Sequence, residues 1–512
     1  MQLNGIALGS AAAMFTAAAI GRMWLEPPLD RWLSLIALSL GAWQLYVGVR
    51  PCWIRSPGVV LRLWGLEWTR DEACCHFLIT GGTGTGKTAR AVVPIVHGLR
   101  SALPDTGVLA IDSKGALWEP LAAIARATDQ EEDLRLIRVR PTDQSSETWT
   151  SPLRLNVLAD RTVPWGTYAK ILIDTATAAG QRGGQTFFKE AARDAITHAM
   201  QVRALLNDPV TLDIVHDTIC RSAETEALFP RLELLLDTPQ AEEARAELKF
   251  FQDFVRQPPE QKGGTVFTVA NFLRPYTPPA IAEVVGSREP NFSLAEVDQG
   301  RLICLSVPQG YQVERKYLNL LFKQLFFLHA FRRFDLPAEE RRRRNLITLV
   351  LDEGQKTTLV SEDGFSDHGT VDELREAGVC LVSATQTPLS LYAAFETQTK
   401  ADVFMANLRT QVHFRAADEK GAKIISERMG GRERRKYSGG VSGGHTSRNW
   451  QMVDEPWYKP ARLLVLGDGR AIIRHPRHTG RPRLRRLPFT RFTAPQNQPK
   501  GYAQRAPDER IV

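Results

Sequence analysis

Gly81-Gly82-Thr83-Gly84-Thr85-Gly86-Lys87-Thr88 fits the phosphate-loop pattern G-x-x-x-x-G-K-[ST] at every position. Each residue type has a job there. The glycines Gly81, Gly82, Gly84 and Gly86 let the backbone curl so that successive N–H groups point inward at an anion. Thr83 and Thr85 complete the loop, Lys87 reaches the β- and γ-phosphates, and the Thr88 hydroxyl can ligate Mg²⁺. The flanks agree. Cys75 to Thr80 reads as a buried strand entering the loop, and Ala89 to Leu99 as the helix leaving it with its positive dipole end at the phosphates. Pro94 is expected to kink that helix or end it early.

A second half for such a site lies far downstream. The apolar run Leu346 to Leu351 ends in Asp352-Glu353. A buried strand delivers both carboxylates at its carboxyl end, where open α/β sheets bind ligands. Asp352 would complete the Mg²⁺ shell, and Glu353 would orient or deprotonate the attacking water. Gln386 follows the strand Cys380 to Ala384 and would sense the γ-phosphate or position water; a surface polar residue is the alternative. Arg375, just before that strand, would act in trans as an arginine finger in a ring of subunits; a solvated helix end is the alternative. The run Arg341-Arg342-Arg343-Arg344 is either a contact for nucleic acid phosphates or a solvated loop. No His/Cys cluster points to zinc, and no G-x-S-x-G elbow points to a hydrolase triad.

The chain has 512 residues, enough for two or three domains. Its net charge of +8 fits a polyanion partner or an anionic membrane face. The six cysteines form no C-x-x-C pair and read as buried free thiols of a reducing compartment. The expected fold is α/β with a mainly parallel sheet, from strands alternating with helices at Cys75–Thr80, Val108–Asp112, Leu134–Val139, Arg301–Val307, Leu346–Leu351 and Cys380–Ala384, with Gln411–Phe414 as an edge strand. An inserted all-helical domain spans 165–290. Its clearest helix carries Phe188, Ala191, Ala192, Ala195, Ala199 and Val202 on one stripe, and Pro258-Pro259 and Gly263-Gly264 break its helices. Residues 430–450 read as a flexible Gly/Ser/Arg loop, and 478–512 as a disordered basic tail. The nucleotide-binding domain is thus split into 51–164 and 291–477.

Residues 1–50 read as a two-helix transmembrane hairpin. Residues 1–21 and 32–49 carry no charged side chain, and each is about the 18–20 residues needed to cross a hydrocarbon core. Arg50, Arg55, Arg62 and Arg70 follow the second stretch, against Arg22 and Arg31 in the joining loop, which puts both termini in the cytoplasm. A secretory signal is disfavoured by the lack of a basic segment before the first apolar run.

Taken together, the hairpin, Gly81–Thr88, Ala110-Ile111-Asp112-Ser113-Lys114-Gly115, Phe187 to Arg193, Leu349 to Glu353, and Arg375-Glu376-Ala377-Gly378-Val379 leading to Gln386 resemble the coupling-protein ATPases of type IV secretion and conjugation (TraG/TraD-like). The resemblance implies a RecA-like motor that binds ATP and Mg²⁺ and assembles as a homo-hexamer. It implies a two-pass protein of the bacterial inner membrane with its bulk in the cytoplasm. Its implied partners are single-stranded or duplex DNA, a relaxase or relaxosome, and type IV secretion channel proteins. Two features depart from the family: a very short loop between the apolar stretches, and polar Gly354-Gln355-Lys356 after Glu353. A receptor for protein effectors with ATP controlling assembly, and a DNA translocase of the FtsK/HerA type, are the competing readings. The helical insertion and two-helix anchor disfavour the latter.

Overall fold

The computed structural model describes residues 58–181, 186–442, 445–478 and 480–490, the side chains of 438–442 and 445–449 excepted. The two apolar stretches read as a membrane hairpin lie outside the described residues. Among the described residues no helix is long and apolar enough to cross a membrane.

A small hairpin, β1 (Val59–Leu63) and β2 (Leu66–Thr69), leads into the main body. It delivers Trp68, which is fully buried, packs on Phe77 and donates its indole N–H to Thr410 Oγ1 at 3.1 Å. The main sheet is built from β3 (Phe77–Thr80), β4 (Gly107–Asp112), β5 (Leu134–Arg138), β6 (Leu302–Ser306), β7 (Ile347–Asp352), β8 (Val379–Thr385), β9 (Thr410–His413), β12 (Arg470–Arg474) and β13 (Arg483–Arg486). A separate ribbon pairs β10 (Gly431–Ser442) with β11 (His445–Pro456). The order across the nine strands is β13-β12-β9-β3-β8-β7-β4-β6-β5. From β9 to β5 every neighbour is parallel, while β12 and β13 close one edge in antiparallel register.

Parallel strands are covered on both faces, so they read as continuous apolar runs. All six residues of β4 and of β7 are buried. Their side chains alternate between two cores. Leu109, Ile111, Leu349 and Leu351 join a core with the Gln312–Phe331 helix and the helices between β5 and β6. Val108, Ala110 and Val350 join a second core with the helices Val93–Ala102 and Trp118–Ala127. Between Trp165 and Val285 the described residues are mainly helical; of the stripe read from the sequence Ala192, Ala195, Ala199 and Val202 are buried, and Phe188 and Ala191 half-buried.

Five local expectations are corrected. Pro94 does not end its helix: Thr88–Val92 is a π-helical turn, and Pro94 falls in the first turn of Val93–Ala102. The widened turn relieves the clash of the ring with the preceding carbonyls. Gly263-Gly264 do not break a helix but lie inside Pro259–Leu273. A Cβ on Gly264 would stand 2.3 Å from the Phe188 ring, so the glycine is there for close approach. Thr410–His413 is no edge strand, since β9 pairs with both β3 and β12. The Gly/Ser/Arg stretch is a hairpin, with Ser442 paired to His445 and only Gly443-Gly444 between the arms. Gly-Gly between pairing arms is a turn signal that composition alone hides.

The stretch from 478, read as a disordered tail, contains β13 within the sheet. Beyond it Leu487 is fully buried, and Arg90 donates to the Leu487 carbonyl at 2.6 Å while lying over the Phe489 ring. The strand's alternation, Arg483-Leu484-Arg485-Arg486, is too basic to read as apolar. It pairs because an edge strand exposes one side to water.

Candidate functional site

The phosphate loop leaves β3 at the carboxyl edge of the sheet. Its own backbone is pinned by its neighbours: Gly81 N–H donates to the Gln386 carbonyl at 3.2 Å and Gly82 N–H to the Arg415 carbonyl at 2.9 Å. Gly84 and Gly86 hold φ of 77° and 86°, where L side chains are strained. Among the described residues, the N–H groups of Gly84 and Gly86 find no backbone acceptor. A loop of uncommitted N–H groups ahead of a helix is a cradle for phosphate oxygens. A Cβ on Gly81 would press to 2.7 Å of the Phe414 Cβ, so the loop sits hard against the end of β9.

Lys87 is buried and donates to the Gly81 and Gly82 carbonyls at 2.7 and 3.3 Å. Burial pulls its pKa down; Glu353 and Asp352 work against that. A desolvated ammonium of this kind binds an incoming anion strongly.

Thr88 and Asp352 meet across the sheet. The Thr88 hydroxyl stands 3.3 and 3.4 Å from the two carboxylate oxygens of Asp352. Asp352 is the register partner of Asp112 in the β4–β7 ladder. Burial first, and the Asp112 charge second, raise the Asp352 pKa, with Lys114 and the Thr88 hydrogen bond opposing. A buried carboxylate beside a second carboxylate favours a further cation, beyond Lys87 and Lys114. Together with the Thr88 hydroxyl it is the oxygen donor set that Mg²⁺ takes, one or two protein oxygens with the rest from phosphate and water. The described residues contain no group of three His, Cys, Asp or Glu suited to a metal. An all-protein cage is therefore not the design, and the residues present fit Mg²⁺ carried with a nucleotide.

Glu353 sits in the left-handed region at φ 63° and ψ 50°, an uncommon backbone for a glutamate. Its buried carboxylate is held from three sides. Gln355 donates to Oε2 at 2.6 Å, Gln386 to both oxygens at 3.3 Å, and Lys114 approaches Oε1 at 3.6 Å. Burial pushes this carboxyl up, but the donations from Gln386 and Gln355 and the Lys114 and Lys356 charges outweigh it. The net pKa is lowered. Glu353 thus stays ionised and oriented, as a general base must be.

The structure brings Lys87, Thr88, Asp352, Glu353 and Gln386 together because β8 runs between β3 and β7. Gln386, at the end of β8, therefore touches the loop through its carbonyl and the candidate base through its amide. It does not bring in Arg375. That residue is exposed in the last turn of Asp367–Glu376, at the amino end of β8. Seven strand residues at about 3.3 Å each separate it from the loop end, roughly 20 Å. It lies instead near Cys74 and His76. The arginine run also sits at the amino end, before β7, partly in the helix Ala338–Arg343. Arg341, Arg342 and Arg344 pair with Glu376, Glu339 and Glu340.

Sequence reasoning gave no role to Lys114 or Gln355. Asp112-Ser113-Lys114 ends a strand and is noticeable for that, but only the β4–β7 pairing turns it toward Glu353. Asp112 accepts the N–H groups of Lys114, Ala116 and Leu117 at 2.6 to 2.7 Å, and so shapes the turn that presents Lys114.

A family model described as type IV secretory system conjugative DNA transfer matches residues 55–499. The chain belongs to that family. No curated protein matches it. Among solved structures, the unbound bacterial conjugative coupling protein TrwBΔN70 superposes with a TM-score of 0.59 at 16% identity, over 87% of this chain and 92% of that one. TrwB in complex with the non-hydrolysable ATP analogue ADPNP gives 0.57 at 16% identity, over 87% and 93%. TrwB with ADP and Mg²⁺ gives 0.55 at 16% identity, over 87% and 93%. The shared α/β fold with its mainly parallel sheet is what this likeness establishes.

Proposed function

We propose that this chain is a coupling ATPase that hydrolyses ATP to recruit DNA, with its bound relaxase, and pump it into a type IV secretion channel. The observation that carries the reading is the convergence of Lys87, Thr88, Asp352, Glu353 and Gln386 on one edge of the sheet, in a chain of the conjugative DNA transfer family. The nucleotide complexes of TrwB support ATP and Mg²⁺ as ligands here.

In this reading the loop N–H groups and Lys87 bind the β- and γ-phosphates. Thr88 and Asp352 would hold Mg²⁺, which would supply neutralisation of charge on the phosphate oxygens. Glu353, kept ionised by Gln355 and Gln386, takes a proton from the water as its oxygen bonds to the γ-phosphorus. The bond from that phosphorus to the bridging oxygen breaks, and ADP leaves. Arg375 is too far from its own loop to take part, so it acts in trans on a neighbour's γ-phosphate within a homo-hexamer. Residues 1–50 anchor the assembly in the inner membrane, with the motor in the cytoplasm.

The test is ATP hydrolysis by the full chain with and without single-stranded DNA, beside Glu353→Gln. The expected result is DNA-stimulated turnover that Glu353→Gln abolishes while nucleotide still binds. ATP hydrolysis indifferent to DNA would favour a receptor for protein effectors instead. Normal turnover by Glu353→Gln would remove Glu353 as the base.

A further inference from the structure

The hairpin of β10 and β11 has no place in the chemistry above. Among the described residues its twelve-residue arms pair only with each other, outside the main sheet. A two-stranded ribbon is marginal in water unless something covers it. Its composition says what. From Arg434 to Met452 the sequence holds Arg434, Arg435, Lys436 and Arg448 and no Asp or Glu. Carboxylates stand only at its base, where Glu455 pairs with Arg434 and with Lys459. Tyr437 is directly opposite Trp450, and Arg435 opposite Met452, so these residues share one face. Tyr437, Trp450 and Met452 are 70%, 59% and 49% exposed, large values for such side chains. The Arg435 guanidinium lies 5.1 Å from the Trp450 ring centroid, next to the aromatic pair.

Exposed rings interleaved with cations and free of carboxylates are the surface that single-stranded nucleic acid uses. Bases stack on the rings while Arg and Lys neutralise the backbone. Duplex DNA keeps its base faces stacked inside the helix, so the Tyr437–Trp450 pair adds little for it. We propose that the Arg435, Tyr437 and Trp450 face of this hairpin is a single-stranded DNA-binding element, with two bases stacking on Tyr437 and Trp450 and a flanking phosphate on Arg435. The proposal rests on the DNA-transfer reading and assigns the strand contact to a ribbon outside the main sheet that carries the phosphate loop.

The test is titration of a fluorescent oligothymidylate and a matched duplex with the full chain in detergent. Wild type is compared with Tyr437→Ala, Trp450→Ala and Arg435→Ala, alongside ATP hydrolysis without DNA and sedimentation of each variant. Photo-crosslinking of bromodeoxyuridine-substituted oligonucleotide to the wild type, mapped by mass spectrometry, is the second measurement. Each aromatic substitution should weaken single-strand binding by roughly five- to a hundredfold, the usual worth of one stacked base. It should change duplex binding little and leave basal hydrolysis and oligomer size unchanged. Crosslinks should fall on Tyr437 or Trp450. If wild type binds the single strand and the variants bind as tightly, the hairpin proposal falls and the DNA reading stands. If wild type binds no DNA at low salt, both fall. If the variants lose oligomer size instead of DNA affinity, the face is a contact between subunits and the proposal is wrong.

Discussion

Replacing Gln386 with alanine isolates what holds the candidate base. Its amide nitrogen reaches both Glu353 oxygens at 3.3 Å, long for a charge-assisted bond and shared between two acceptors. Hydrogen bonds to charged groups contribute about 1.5–3 kcal/mol, and this geometry belongs at the low end. Gln355 at 2.6 Å and Lys114 at 3.6 Å remain. The Gly81 N–H bond to residue 386 is to its carbonyl and survives the substitution. Losing about 1.5 kcal/mol of orientation from the barrier lowers kcat roughly tenfold. Lys87 and the loop backbone are untouched, so the Kd for ATP should change by less than about twofold. With one donor gone, burial weighs more on Glu353, so the acid limb of the rate profile should move to higher pH. The assay is steady-state ATP hydrolysis over a pH range that reaches below the ordinary glutamate value of about 4.3, with nucleotide affinity measured separately. An unchanged kcat and unchanged acid limb would refute the argument. A large rise in Kd with normal kcat would refute it too, because Gln386 would then be binding phosphate and not holding Glu353.

Arg375→Ala should abolish hydrolysis while keeping nucleotide affinity. Mixing it with Lys87→Ala should restore part of the activity, because an intact loop then meets an intact finger; no rescue in confirmed mixed oligomers counts against action in trans. Acid should destabilise the fold through two buried histidines. Burial, the main cause for both, pulls His76 down to about 4 and His413 to about 3. Unfolding takes up protons below their unfolded value of about 6.5, so stability falls with pH through that window, by up to about 1.4 kcal/mol per pH unit for each. Urea midpoints at pH 7 and pH 5 check this, and His413→Gln should make the dependence shallower; an unchanged slope would exclude His413. A chain ending at Arg477 should lose several kcal/mol, since it sheds β13 and the buried Leu487. The comparison is with a chain ending at Thr490, and equal melting of the two would show that the edge strand contributes nothing.

What the sequence made legible follows from how local each signal is. Lys87 and Thr88 lie in one loop, and Asp352-Glu353 end one apolar strand, so fixed spacing and a continuous hydrophobic run were sufficient. Gln386 was placed correctly at a strand end, yet its contact with Glu353 depends on β8 separating β3 from β7. Strand order is a long-range property that no window of residues contains. Lys114 and Gln355 were silent for the same reason. The hairpin and β13 were misread because their residues are polar and basic. Both are strands with a face in water, where burial does not write an apolar pattern. Pro94 and Gly264 were read as breakers by propensity, and tertiary context overrode it in each case.

The strand order also governs how the protein can be made. The first three strands of the main sheet to leave a ribosome, β3, β4 and β5, never touch one another. β8 and β7 lie between β3 and β4, and β6 lies between β4 and β5. Phe77–Thr80 has to wait for Val382–Thr385, about 300 residues later, before its backbone has a partner. At about 5–20 residues per second that is roughly 15–60 s. During that time the nascent chain can close its helical stretch and then the β7-β4-β6-β5 part of the sheet, while β3 and its glycine loop stay unpaired. The sheet edge that carries the phosphate loop is completed last, when β8 slots between β3 and β7. The first part of the chain, made alone, holds β3, β4 and β5 with no strand between them to pair with.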